Sequence, residues 1–96
     1  MPVVTVTRFQ IDPADADELR ARHAALVTAT RAAVPGLTEA RLGRIDDENW
    51  VGIWRWDSAD SLRAARQAVP GGAEATTAFA LARGPVASDI EIVDEH

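Results

Sequence analysis

The chain has 96 residues, no cysteine and only two histidines, His23 and His96, so it offers no disulfide framework, no thiolate nucleophile and no ligand spacing for a metal site. Its 10 basic residues, all arginine, are scattered among 15 acidic ones for a net charge of −5, and the positive footprint of a nucleic-acid binder is missing. No apolar run approaches the roughly 18 residues of a membrane span and no leader pattern opens the chain, which predicts a soluble, cytoplasmic single domain over residues 1–96 with no membrane partner.

Residues 3–11, VVTVTRFQI, are rich in β-branched side chains and predict a first strand. Asp12 and Pro13 follow as N-cap and first helical residue, and Asp15 and Asp17 suit the positive end of a helix dipole. Leu19, His23, Leu26, Val27, Thr30 and Val34 recur at helical spacing, so one long amphipathic helix runs up to Pro35-Gly36. Residues 37–45 and 50–56 flank the polar turn DDEN and predict a β-hairpin. Ser58 is placed to cap a second helix in which Leu62, Ala65 and Val69 share a face, and PGG at 70–72 breaks it. A third short helix is expected over 73–82, stopped by Gly84-Pro85, and the alternating SDIEIV at 88–93 closes the chain as a strand. The order β-α-β-β-α-(α)-β is that of a ferredoxin-like α+β plait, an antiparallel sheet with helices on one face.

All three tryptophans stand in WVGIWRW, residues 50–56, and only Phe9 and Phe79 add to the aromatics. A turn of two or four residues centred between Asp47 and Glu48 puts Trp50, Gly52, Trp54 and Trp56 opposite Ile45, Gly43, Arg41 and Glu39. Gly43 then faces Gly52, and two facing glycines leave a gap among the indoles. A turn of odd length would shift the pairing and undo that juxtaposition. Both faces of the hairpin carry apolar groups, so helices must cover one and a second copy of the sheet is the simplest cover for the other. Core tryptophans cost about 3–5 kcal/mol on truncation, so packing alone could account for them, for Trp56 at the strand end more readily than for Trp50 and Trp54 beside the gap.

Three cations and one imidazole stand out as chemistry. His23, on the sheet-facing stripe of the first helix, is the candidate base, with a hydrogen-bonded, semi-buried structural histidine as the alternative. Arg41, expected opposite Trp54, could favour a phenolate, or be a solvated strand arginine paired with Glu39. Arg55 lies among apolar neighbours on the other face and reads as one half of an ion pair at a dimer interface. Arg83, expected at a helix end, could guard a pocket mouth.

Residues 34–65, VPGLTEARLGRIDDENWVGIWRWDSADSLRAA, resemble the antibiotic biosynthesis monooxygenase family of dimeric α/β-barrel proteins. The matching marks are Pro35-Gly36 after a long helix, a hairpin, and a strand running into Trp-x-Ser at Trp56 and Ser58, with Leu62 beyond. The resemblance implies two plaits pairing their sheets face to face into a barrel, with a pocket in each subunit between sheet and helices. Members oxidise phenolic polyketides with O₂ and no cofactor, cleave haem, or act on quinones and signalling molecules, so the fold assigns no reaction by itself. Quinone-forming members resemble this chain around the strand-ending Trp but carry an Asn where Gly52 stands and a His where Gly43 stands. The histidine common in the helix after Trp-x-Ser falls at Ala65, which counts against haem cleavage.

Together these readings give a homodimeric, cofactor-independent monooxygenase-like protein acting with O₂ on an aromatic, polyketide-type phenol or anthrone. His23 and Arg41 are its catalytic candidates, Trp50, Gly52, Trp54, Trp56, Gly43 and Arg83 its substrate-binding ones, and neither metal nor cofactor is expected. Two rival readings are a protein that holds a hydrophobic ligand without transforming it and a non-oxidative isomerase or cyclase.

Overall fold

In the computed structural model, which describes residues 1–68 and 78–96, the β-branched run forms strand β1 (Val3–Gln10). The Asp12 carboxylate accepts the Ala14 N–H at 3.0 Å and caps a 3₁₀ turn over Pro13–Asp15. Helix α1 (Ala16–Ala33) continues from that turn, burying Leu19, Leu26 and Thr30 of the expected stripe. Strands β2 (Leu37–Arg44) and β3 (Asn49–Trp56), helix α2 (Ala59–Ala68) and strand β4 (Arg83–Glu91) complete the order. Neighbouring strands pair antiparallel in the spatial order β2-β3-β1-β4, the ferredoxin-like α+β arrangement that the element order predicts.

The hairpin differs from expectation by one residue. The Asp46 carboxylate accepts the backbone N–H groups of Glu48 and Asn49 at 3.0 and 2.9 Å and the Asn49 amide at 2.9 Å, while Ile45 N–H donates to Asn49 O at 2.8 Å. Three residues, Asp46 to Glu48, therefore close the turn, and the odd length shifts the register. Gly43 pairs with Val51, Leu42 with Gly52, Arg41 with Ile53 and Ala40 with Trp54. The expected Gly43–Gly52 and Arg41–Trp54 pairs do not form. Trp50, Gly52, Trp54 and Trp56 still share one face, because that depends only on the period of the strand.

Near the other end of the hairpin Thr38 is an extra residue on β2, between the pairs Leu37–Trp56 and Glu39–Arg55, and its hydroxyl donates to Arg55 O at 3.2 Å. This bulge turns Leu37 onto the indole face beside Trp56. Just beyond it, Asp57 N–H donates to Gly36 O at 2.9 Å, and Ser58 Oγ accepts the Ser61 N–H at 3.2 Å as the cap of α2. A Cβ on Gly36 would stand 2.2 Å from Ser61 Oγ and 2.6 Å from an Asp57 carboxylate oxygen, so only glycine fits there. Pro35-Gly36 and Trp56-Asp57-Ser58, separate marks in the sequence, are thus two sides of one junction.

The C-terminal part also departs from expectation. Val69, the PGG break and residues 73–77 of the helix expected over 73–82 lie outside the described residues; of the remainder, Ala78 and Phe79 are helical and a turn follows at Ala80 and Leu81. The last strand starts at Arg83 rather than at 88, so Arg83 opens a strand instead of ending a helix. Phe9 faces two residues, Gly84 and Pro85, between the pairs Arg8–Val86 and Gln10–Arg83. Gly84 has φ 58°, the left-handed geometry of a glycine bulge, and a bulge on an edge strand tolerates a proline without an N–H.

The helices pack on the indole face. One apolar cluster joins Val3, Val34, Leu37, Trp56, Leu62 and Ala65, and a second joins Ile11, Leu19 and Trp50 at the opposite end of the strands. On the outer face Val4, Val6, Val51, Ile53, Val86 and Ile90 line up across β1, β3 and β4, with Ile53, Val86 and Ile90 exposed. Arg55, on that face, pairs with Glu95 of its own chain at 2.6 Å.

Candidate functional site

Between the two apolar clusters the layer of side chains is incomplete. Thr5, Thr7 and Phe9 of β1, Gly52, Trp54 and Trp56 of β3, Leu19, His23, Leu26 and Thr30 of α1, and Leu62, Ala65 and Arg66 of α2 line a half-open cavity of about 290 Å³, with Phe79 and Ala87 also on its wall. Gly52 makes the room: a Cβ built on it meets nothing within 4 Å. The volume stands at the small end of the range for small-molecule sites, about 300–1,000 Å³, and suits a compact, flat ring system.

His23 and Trp54 form the one polar contact inside this wall between two side chains singled out from the sequence. Trp54 Nε1 donates to His23 Nε2 at 3.0 Å, with the rings edge to face at a centroid distance of 5.7 Å and an interplanar angle of 75°. An indole N–H can only donate, so His23 Nε2 is the acceptor and its proton resides on Nδ1. Burial pushes the His23 pKa below its ordinary 6.5, in agreement with a neutral ring. The imidazole is therefore fixed in one tautomer, and its basic nitrogen is occupied. Trp54 in turn packs against Leu26 and lies 6.1 Å from the Trp56 ring centre, which makes the pair of indoles a fixed surface.

Four of the eight residues singled out from the sequence, His23, Gly52, Trp54 and Trp56, meet at this cavity. Trp50 does not line it: the ring is buried with Ile11 and Leu19, with the Arg44 guanidinium 5.8 Å from its centre, and borders a second, more polar depression that it shares with His23. Gly43 lies on the outer face, where a Cβ would stand 3.2 Å from a Val51 methyl, so it opens no gap among the indoles. Arg41 is on the same outer face, opposite Ile53 and 3.8 Å from the Glu39 carboxylate, the solvated alternative to a phenolate-stabilising role. Arg83, on the edge strand, is exposed and pairs with Gln10; it follows the lining residue Ala82 but does not itself line the cavity.

No sequence motif marks the remaining polar wall. Thr5 and Thr7 reach it because VVTVTRF alternates, which places both on the indole face, and Thr30 because it belongs to the α1 stripe. Arg66 reaches it at helical spacing from Leu62, and its guanidinium pairs with Asp89 at 2.5 Å, which raises its pKa. Thr5 Oγ1, Thr30 Oγ1 and Trp56 Nε1 are buried without a hydrogen-bond partner, as is Trp50 Nε1 in the other cluster.

Haem, which some proteins of this fold hold, fits these residues poorly. Ala65 offers no ligand atom from α2, and the imidazole nitrogen that would have to bind iron already accepts from Trp54. Among the described residues no three His, Asp or Glu side chains gather as a metal site, and no helix is long and apolar enough to cross a membrane.

Comparison with known proteins bears on the whole chain. The sequence pattern of the family described as antibiotic biosynthesis monooxygenase matches residues 2–79. No curated protein matches the sequence. Among solved structures, SnoaB, a cofactor-independent oxygenase from Streptomyces nogalater, is 28% identical with a TM-score of 0.74, over 98% of this chain and 95% of that one. Rv0793 from Mycobacterium tuberculosis is 27% identical with a TM-score of 0.69, over 99% and 98%. MhuD, solved as a point mutant with two manganese protoporphyrin IX molecules per active site, is 20% identical with a TM-score of 0.69 over 98% and 97%, a likeness of fold alone.

Proposed function

The chain belongs to the antibiotic biosynthesis monooxygenase family, and from that premise we propose that it is a cytoplasmic, homodimeric, cofactor-independent monooxygenase whose substrate is an aromatic, polyketide-type phenol or anthrone. The observation that carries this reading is the aromatic-walled cavity with a neutral imidazole held at its edge by Trp54. Its likeness to a cofactor-independent oxygenase adds support.

Oxygenation without metal or flavin needs a substrate that can itself reduce O₂. The ionised phenol or enol gives one electron to O₂, the two radicals join through a new C–O bond, and the peroxide loses water to leave a carbonyl. One oxygen atom stays in the quinone and the other leaves as water. The protein has to bind the ring, accept the first proton and keep bulk water away. Trp54 and Trp56 offer the ring a surface, and His23 offers the base. A hydroxyl entering between Trp54 Nε1 and His23 Nε2 would accept from the indole and donate to the imidazole, replacing the bond that now joins them.

The same bond favours a second reading, ligand binding without turnover. No carboxylate lines the cavity among the described residues, and the only imidazole on the wall has its basic nitrogen engaged. An aerobic assay with hydroxylated anthrones and naphthols separates the two. Quinone absorbance and O₂ uptake above the spontaneous rate are followed together with tryptophan fluorescence. Oxygenation gives turnover with quenching, and His23→Gln keeps the quenching while turnover falls by about 10²-fold or more, the ordinary loss for a general base. Quenching without turnover leaves the binding protein, and product formed without O₂ uptake marks an isomerase or cyclase. Gly52→Leu, which fills the space over β3, should remove the quenching in every case.

A further inference from the structure

Arg66 takes no part in the chemistry above, yet among the described residues it is the only cationic side chain on the cavity wall, and no carboxylate shares the wall with it. Its partner, Asp89, stands on the edge strand β4 opposite Thr5, and the two side chains are 53% and 41% exposed. An ion pair in that setting contributes little, so a competing anion can exchange with it at small cost. Among the described residues, three of the four buried side-chain polar atoms that lack partners belong to this same wall, in Thr5, Thr30 and Trp56. Trp56 belongs to the same apolar cluster as Ala65, the residue next to Arg66, and Thr5 is the cross-strand neighbour of Asp89. A guanidinium and an indole N–H can only donate, and hydroxyls can do so, hence these groups offer donors to a ligand that brings an acceptor in place of Asp89.

We propose that Arg66 selects aromatic ligands that carry an acidic oxygen group, a carboxylate or an ionised phenol, and that it binds them by exchanging Asp89 for the ligand. The forked guanidinium suits two adjacent oxygens, as in a carboxylate or a phenolate beside a ring carbonyl. Asp89 holds the guanidinium at the rim while the cavity is empty and turns to solvent when the ligand arrives. The inference rests on the cavity being the ligand site, and it adds the charge of the ligand to that reading.

The test compares 3-hydroxy-2-naphthoate with its methyl ester, which keeps the ring and removes the charge, by quenching of tryptophan fluorescence. The acid should bind the wild-type protein about tenfold more tightly than the ester, the ratio expected for a hydrogen bond to a charged group. Arg66→Gln should erase that ratio by weakening the acid alone. Asp89→Asn, which removes the competitor, should tighten the acid and leave the ester where it was. Circular dichroism of both variants establishes that they fold. Ester and acid binding equally, or a preference that survives Arg66→Gln, overturns the role of Arg66 while leaving the cavity as the ligand site. Binding of neither compound overturns both readings together.

Discussion

His23 is bonded to Trp54, and the burial of its ring makes stability depend on pH in a defined direction. The folded protein holds His23 neutral by burial, while the unfolded chain protonates it near the ordinary 6.5. Below that value the unfolded state takes up a proton that the folded state refuses, so stability falls as pH drops from about 6.5 toward the lowered folded pKa and is flat above it. Asp46, whose pKa is lowered from 3.8 by its bonds to Asn49 and Glu48, loses its contribution only as pH falls through the carboxylate range, outside this window. Urea midpoints at pH 7.5 and 5.5 should therefore differ in the wild-type protein and converge in His23→Gln. The amide oxygen of that variant can still accept from Trp54, whereas His23→Leu leaves the indole N–H without a partner and should cost about 1–2 kcal/mol at pH 7.5. A wild-type protein equally stable at both pH values would mean that His23 titrates normally, and with it the basis for a neutral imidazole on the cavity wall would go.

At the scale of elements, the junction of α1 with β2 and of β3 with α2 is the least forgiving point. Gly36→Ala would drive its methyl into Ser61 and Asp57, and with overpacking at about 1–3 kcal/mol the urea midpoint should fall accordingly. Gly36→Ala together with Ser61→Gly should recover part of the loss if the clash is the cause. This junction also explains what the sequence made legible. Strand period alone places three indoles on one face, helical period alone places His23 and Thr30 over them, and both hold whatever the turns do. The register of the hairpin does not share that robustness, because it rests on which residue of DDEN caps the turn. Asp46 does so, the loop has three residues, and a one-residue slip carries Arg41 and Gly43 to the opposite face. Arg83 opens a strand rather than ending a helix for a related reason: Gly84-Pro85 has the composition of a helix terminator and the geometry of a strand bulge. Arg66 was legible from its spacing to Leu62, but a half-exposed arginine on a helix carries no signal until the cavity beside it is known.

At the scale of the molecule, the sheet has two apolar faces, and among the described residues helices cover only one of them. A chain of this length buries only about 60–65% of its unfolded surface, and a row of exposed valine and isoleucine side chains on a sheet is unusual for a monomer. We expect two copies to pair through this face, as the family membership suggests, and sedimentation at micromolar concentration should give a dimer whose Tm rises with protein concentration. In a two-fold interface each substitution acts twice. Ile53→Arg, on central strand β3, would bring two charges into the interface and should give a monomer with a lower Tm. Ile53 and Gly52 are neighbours in sequence but point to opposite faces of the sheet, so the interface and the cavity are separated by one layer of backbone. The Ile53→Arg monomer, held below its own Tm, should therefore still quench with an aromatic ligand, and loss of quenching in a folded monomer would show that a second chain completes the site.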